Sequence, residues 1–456
     1  PINEKYTENK SVIELKNIND TNITELDNNL IENNEIDKDS FVDELPIIKK
    51  DNNGLEDVDK LYGGSDNKIK RQITNGSHSC AYKPNIAGDK FSESSEFYIS
   101  KIVDKNDIDG NDFKIVNEMG LKNIDPNFAY YLYPIVKTNF KLSNIKSSEL
   151  KKCKLFKNED SFELDLDLFK NNPDEFIKDL NEKYNNLIMP DGNLTLNDYR
   201  QLLGNDEEKI QDNLIHYFNL VKGVFFLNHI NYIHRDIKRD NITTKGTFKL
   251  IDFGLTCNKK EAFMDGLSKQ HYSYWPFDYY LLDTEIYENL KNKIKTSSRD
   301  SNERISNLII EITQLFNLHI DDTLDDRDNL PEKVKEEILI DYINFAIDLI
   351  LNDEYDLDIL REDCLDKLDV YSLGIVLQIE YYELIKYNNS DDEIIKEYKL
   401  IIDSMITANP ELRPDIDEIL IKFIKLLRGY RILTEKNMVK HIDEIEKKCN
   451  CKIELN

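Results

Sequence analysis

Two short runs hold the densest set of reactive side chains in the sequence. They are His234-Arg235-Asp236-Ile237-Lys238-Arg239-Asp240-Asn241 and, shortly after, Asp252-Phe253-Gly254. Their residue types and spacing suit metal-assisted phosphoryl transfer, in which a protein mainly positions groups and neutralises charge. A carboxylate at Asp236 can orient a hydroxyl and accept its proton, and Lys238 can reach the transferring group. Asn241 offers a neutral amide oxygen and Asp252 a carboxylate oxygen, the hard donors that Mg²⁺ takes. His234 is expected to brace the loop rather than act as a base. His216, His229 and His271 lack the spacing of metal ligands.

These residues need elements to hold them. Residues 209–228 carry apolar side chains at helical spacing (Leu214, Phe218, Val221, Val224, Phe225), and this helix runs directly into the first motif. Residues 247–251 read as a strand that delivers Asp252. Upstream, residues 95–103, 129–136 and 186–189 read as strands, and residues 112–123 as a short helix ending before Asp125-Pro126. Pro190-Asp191-Gly192 is a turn signal. A strand-rich first part is thus followed by a helix-rich second part, an α+β arrangement.

Taken together, the His-Arg-Asp loop, the Asn five residues after Asp236 and the Asp-Phe-Gly 16 residues after it resemble a eukaryotic-type protein kinase between about residues 70 and 430. Later runs agree. Leu368-Asp369-Val370-Tyr371-Ser372-Leu373-Gly374 resembles the helix whose Asp braces the catalytic loop, and Asn409-Pro410-Glu411-Leu412-Arg413-Pro414 resembles the late Arg-Pro motif. Trp275-Pro276-Phe277-Asp278 stands where Ala-Pro-Glu is usual, which suggests an Asp278–Arg413 pair. Lys238 favours the serine/threonine class.

The resemblance implies a two-lobed protein-kinase-like fold with a small antiparallel-sheet lobe and a larger helical lobe. Its cofactors would be ATP and Mg²⁺, with Asn241 and Asp252 as the metal residues. In the sheet lobe, Ile73, Gly76 and Ala81 would cover the nucleotide, Lys101 would bridge its phosphates, and Met189 would lie at the adenine edge. Glu118 is the expected partner of Lys101, with Asp112 as the alternative. Only Gly76 remains of three usual glycines, Thr74 and Ser79 replacing the others. That loss motivates the alternative reading, a pseudokinase-type nucleotide-binding or scaffold protein. The divergent loop is similar to those of protein kinases from large cytoplasmic DNA viruses, which would place the chain in host cytoplasm or virion.

The implied domains are an acidic disordered tail at 1–66, a nucleotide-binding lobe at 67–190, a catalytic lobe at 191–430 and a helical tail at 431–456. The 91 residues from Asp278 to Asp369 imply a helical insertion at about 284–362, read as a solvated elaboration, with a docking site for a basic partner as the alternative. Arg235 would allow control by phosphorylation of Thr256, Ser268, Tyr272, Ser273 or Tyr274.

The bulk composition fits this picture. The net charge is −28, which disfavours nucleic acid and anionic membrane and favours basic protein substrates. No apolar run approaches a membrane span, and Pro1-Ile2-Asn3-Glu4 shows no signal pattern. Six cysteines scattered over 456 residues suggest free thiols in a reducing compartment.

Overall fold

In a computed structural model the chain is α+β, with a small antiparallel sheet and a larger helical part. The structure describes residues 72–453 apart from 76–78, 92–94, 107–110, 145–149, 151, 154, 156–170, 204–209, 266–271, 298–299, 322–329, 352–354 and 387–391. The expected tail at 1–66 lies outside the described residues.

The sheet consists of β1 (Gln72–Asn75), β2 (Ser79–Lys83), β3 (Tyr98–Asp104), β4 (Val136–Thr138) and β5 (Tyr184–Pro190). Their order is β1-β2-β3-β5-β4, every pair antiparallel. Register places Ala81 and Leu187 on either side of Lys101, and Met189 opposite Ile99. A small core under the sheet collects Cys80, Tyr82, Ile102, Phe176, Leu180 and Tyr184, closed by the helix α3 (Pro173–Lys183).

Between β3 and β4 the expected single helix is two, α1 (Asp112–Glu118) and α2 (Leu121–Ile124). The break is at Gly120, whose φ of 66° is a left-handed conformation that glycine adopts without penalty. The tyrosine-rich run at 129–136 is not the strand its residues suggest. The Asp125 carboxylate accepts hydrogen bonds from the backbone N–H groups of Ala129, Tyr130 and Tyr131, which removes them from any ladder. Tyr130, Tyr131 and Tyr133 are buried instead, and the segment crosses beside Leu250.

The helical part is organised around α5 (Ile210–His229), preceded by α4 (Leu196–Leu203). Its apolar face (Leu214, Phe218, Val221, Val224, Phe225) is fully covered, as its periodicity requires. Short pairs follow: β6 (Tyr232–Ile233) with β9 (Cys257–Asn258), and β7 (Ile242–Thr243) with β8 (Lys249–Leu250). Then come α6 (Lys259–Asp265), α7 (Phe277–Leu281), α8 (Thr284–Ser297), α9 (Ser301–Asp321), α10 (Glu332–Leu351) and α11 (Leu357–Asp366). The chain closes with α12 (Leu368–Ile385), α13 (Glu393–Met405), α14 (Ile416–Gly429) and α15 (Glu435–Cys449).

Two expectations are corrected here. Helices α9 and α10 are not a solvated elaboration, because Leu308, Ile312, Phe316, Ile338, Tyr342 and Phe345 join the main core. Nor are the cysteines all free. Cys80 is bonded to Cys153, 73 residues away, and Cys449 to Cys451 across a left-handed Asn450. Cys257 and Cys364 keep free thiols. The first bond joins two thiols that pack into one small core, a proximity that spacing along the chain does not reveal.

Helix α15 is tied to α5 by charge. Tyr130 donates to Glu444, and Glu444 faces the buried Lys222 at 3.9 Å. Burial pushes the Lys222 ammonium down to about 8. Among the described residues, no helix is long and apolar enough to cross a membrane.

Candidate active site

The loop after α5 is held from beneath. Asp369, in the first turn of α12, accepts from the backbone N–H of His234 at 2.6 Å and of Arg235 at 3.0 Å. These bonds to a buried carboxylate hold a costly conformation: Arg235 has φ of 66°, a region that costs a non-glycine residue about 1–3 kcal/mol. Burial pushes the Asp369 carboxyl above its ordinary range. His234 braces the same loop. Its Nε2 faces the Ile251 carbonyl at 3.1 Å and so carries the proton, leaving Nδ1 to accept from the Asp236 N–H at 3.3 Å.

Asp236, held in this loop, is buried and engaged at both carboxylate oxygens. Its Oδ2 accepts from Asn241 Nδ2 at 2.7 Å and pairs with Lys238 Nζ at 3.0 Å. Its Oδ1 accepts from the Tyr272 hydroxyl at 2.6 Å. Asn241 also donates to the Asp236 carbonyl at 2.9 Å, so its amide nitrogen is committed and its amide oxygen is left for another partner. A backbone bond from Ile251 N–H to the Asn241 carbonyl, 3.0 Å, joins this loop to the strand end carrying Asp252.

Asp252 too is left-handed, with φ of 67°. Its Oδ1 lies 2.9 Å from Lys101 Nζ, which crosses from β3. Burial pushes the Asp252 carboxyl up, but Lys101, with His234 and Lys238 adding to it, holds the carboxyl below the usual range. Lys101 also meets Asp112 Oδ2 at 3.4 Å, and Asp112 Oδ1 accepts from the Phe253 N–H at 3.3 Å. The expected partner Glu118 is therefore corrected to Asp112, the alternative. Asp112 opens α1 and is buried, whereas Glu118 sits at the other end of α1 on its exposed side, 3.7 Å from Lys114.

The remaining expected residues are placed as follows. Ala81 flanks Lys101 in the sheet, Met189 is buried in β5, and the backbone of Ile73 pairs with Tyr82. Gly76 lies outside the described residues. The turn after β5 is tight: a Cβ on Gly192 would meet Thr243 at 2.5 Å, so this glycine is required by close approach. Asp191, beside it, pairs with Lys83 at 3.0 Å.

Below the site, Arg413 Nη2 meets Asp278 Oδ1 at 2.7 Å, with both side chains fully buried. Sequence reasoning suggested this pair but missed what surrounds it. Tyr342, from α10, donates to the same Asp278 oxygen at 2.9 Å and accepts from the Phe277 N–H. His319, from α9, faces the Trp275 carbonyl at 2.9 Å. Trp275 Nε1 in turn donates to the Arg235 carbonyl at 2.6 Å. A second unforeseen anchor is Glu380, fully buried, which receives Arg200 at 2.6 Å and Arg239 at 3.1 Å. No local pattern in the sequence marks Tyr342, His319 or Glu380.

The arrangement brings one proton acceptor, two cations and two oxygen donors to adjoining strand and loop ends. No protein-family model matches the chain, and no curated protein matches it.

Proposed function

We propose that the chain is a serine/threonine protein kinase of two-lobed architecture that transfers the γ-phosphate of ATP to protein hydroxyls. The observation that carries this reading is the convergence of Lys101 and Asp252 from one side with Asp236, Lys238 and Asn241 from the other, joined through the Ile251–Asn241 backbone bond.

The residues present fit Mg²⁺. Asn241 turns its amide nitrogen to Asp236 and keeps its oxygen, and Asp252 gives only Oδ1 to Lys101. Among the described residues no group of three or more His, Cys, Asp or Glu could hold a metal alone. Mg²⁺ takes one or two protein oxygen ligands plus substrate phosphates and water, and Asn241 and Asp252 supply donors of that kind. Asn241 and Asp252 would hold the ion, which when bound neutralises phosphate charge.

This chain's own residues then do the following. Lys101, kept extended by Asp112 and Asp252, offers its ammonium to the nucleotide phosphates. Asp236 orients the acceptor hydroxyl and takes its proton at Oδ1. Lys238, 3.0 Å from the other oxygen, offers positive charge where the phosphoryl group passes. The chain's net charge of −28 favours basic protein substrates.

The test is incubation of the purified chain with γ-labelled ATP and a mixture of basic proteins, with Mg²⁺ or with a chelator. Label on serine and threonine that needs Mg²⁺ supports the reading. No transfer, or transfer only to small molecules, contradicts it.

A further inference from the structure

Lys101 and Asp252 cross between the sheet and the floor through groups that meet the nucleotide. A second crossing avoids those groups. Asp191 directly follows β5, and its side chain is 8% exposed. Its Oδ2 meets Lys83 Nζ at 3.0 Å and Lys245 Nζ at 3.5 Å. Backbone fixes the rest of the residue. Oδ1 accepts from the Asn193 N–H at 3.1 Å, and the Asp191 N–H donates to the Phe97 carbonyl at 2.9 Å. The carboxylate therefore has little freedom to follow either lysine.

The two lysines come from opposite sides. Lys83 ends β2, two residues after Ala81, which pairs with Lys101 in the sheet. Lys245 lies in the turn between β7 and β8. Asn241 immediately precedes β7, and Asp252 comes two residues after β8 ends. The same hairpin is held to the segment after Asp191: the Thr244 N–H donates to the Leu194 carbonyl at 3.0 Å, and Thr195 bridges to Thr243. One carboxylate thus ties the strand beside Lys101 to the hairpin whose two ends carry Asn241 and Asp252.

The inference from this geometry rests on the kinase reading and deepens it. On that reading the phosphates draw Lys101 and the metal draws Asp252, so their mutual contact cannot set the spacing during transfer. The contacts of Asp191 lie off the reacting groups and persist. We propose that Asp191 is a positioning residue for phosphoryl transfer: through Lys83 and Lys245 it sets the distance between Lys101 and the Asn241–Asp252 pair once the nucleotide lies between them. Lys83 and Lys245 are 34% and 49% exposed, so water screens both contacts. They steer geometry and contribute little to the stability of the fold.

The experiment uses the full chain with Mg²⁺, γ-labelled ATP and a basic protein. It reads kcat, the KM for each substrate and the melting temperature. Asp191→Asn keeps the side-chain shape and removes the charge that both lysines share. It is expected to lower kcat about ten- to a hundredfold, as a displacement of reacting groups by about 1 Å does. The KM for the basic protein is expected to stay within about twofold, and the melting temperature within about 2 °C. Lys245→Met is expected to lower kcat in the same direction, and Lys245→Arg, which keeps the charge, to hold the parent's value. Adding Lys245→Met to Asp191→Asn is expected to cost nothing further, because the shared contact is already gone. Transfer by the parent with an equal kcat in Asp191→Asn overturns the proposal and leaves the kinase reading standing. So does a kcat loss that follows a fall in melting temperature, or one that Lys245→Arg shares with Lys245→Met. Absence of transfer by the parent overturns the kinase reading and this proposal with it.

Discussion

The loop carrying Asp236 and the sheet carrying Lys101 are stabilised in different ways. Beneath the loop lie buried charges: Asp369 under His234 and Arg235, Arg413 with Asp278, and Glu380 with Arg200 and Arg239. Each holds backbone or a neighbouring side chain in one geometry, and Asp369 bonds the N–H of the left-handed Arg235. The sheet relies on its antiparallel ladder and a small apolar core. Its link to the loop is Lys101, which reaches Asp252 at 2.9 Å. The difference is between a floor preset by buried charges and a sheet whose Lys101 reaches across to Asp252, with Asp112 and the Phe253 N–H beside it.

The comparison can be broken most severely from below. Arg413→Met leaves Asp278 buried without its cation and is expected to cost about 3–5 kcal/mol, measured by urea unfolding. Arg413→Met with Asp278→Leu is expected to recover much of that loss. A single variant as stable as the parent would remove the floor's distinction. Tyr342→Phe is expected to cost less, about 1–3 kcal/mol, because a bond to a buried carboxylate is lost while the ring remains.

Above the floor the expected effects fall on nucleotide binding rather than stability. Asp112→Asn should weaken ATP affinity about tenfold in a titration, since a close ion pair that positions Lys101 is worth roughly that factor. Glu118→Gln should change it less than twofold. Equal effects of the two would return Glu118 to the role that Asp112 holds here.

The smallest expected effect is a pH slope beneath the loop. Burial, helped by the charge of Asp415, pushes the Asp417 carboxyl up to about 7. The native state then keeps a proton that the unfolded chain releases near its ordinary 3.8, so stability is highest below that value and falls as pH rises towards 7. Its side chain is 25% exposed and His229 Nε2 lies 3.4 Å away, so solvent and the imidazole screen much of that loss. Asp417→Asn should flatten that slope in thermal melts taken at pH 4 to 8.

What could be read in advance follows the same division. The floor's motifs are contiguous, and a loop between a helix and a strand leaves few ways to place Asp236, Asn241 and Asp252. Asp278 and Arg413 were suggested by motif, yet their burial comes from α10, whose Tyr342 stands 64 residues from Asp278. Helical spacing alone does not say which end of α1 faces Lys101, so it does not single out Asp112 over Glu118. The tyrosine run at 129–136 has strand composition, but Asp125 takes three of its amides. The 73-residue Cys80–Cys153 link and the Tyr272–Asp236 contact are likewise products of tertiary packing, with no periodic trace along the chain.

The central claim is that Asp236 acts at the chemical step on a floor formed before the nucleotide arrives. The most direct measurement compares the parent with Asp236→Asn for label transfer from ATP and for Mg²⁺-ATP affinity on the same preparations. Loss of a positioned proton acceptor predicts transfer slower by about 10²–10⁴-fold, with affinity within a few fold of the parent. Transfer by Asp236→Asn at the parent's rate would contradict the account.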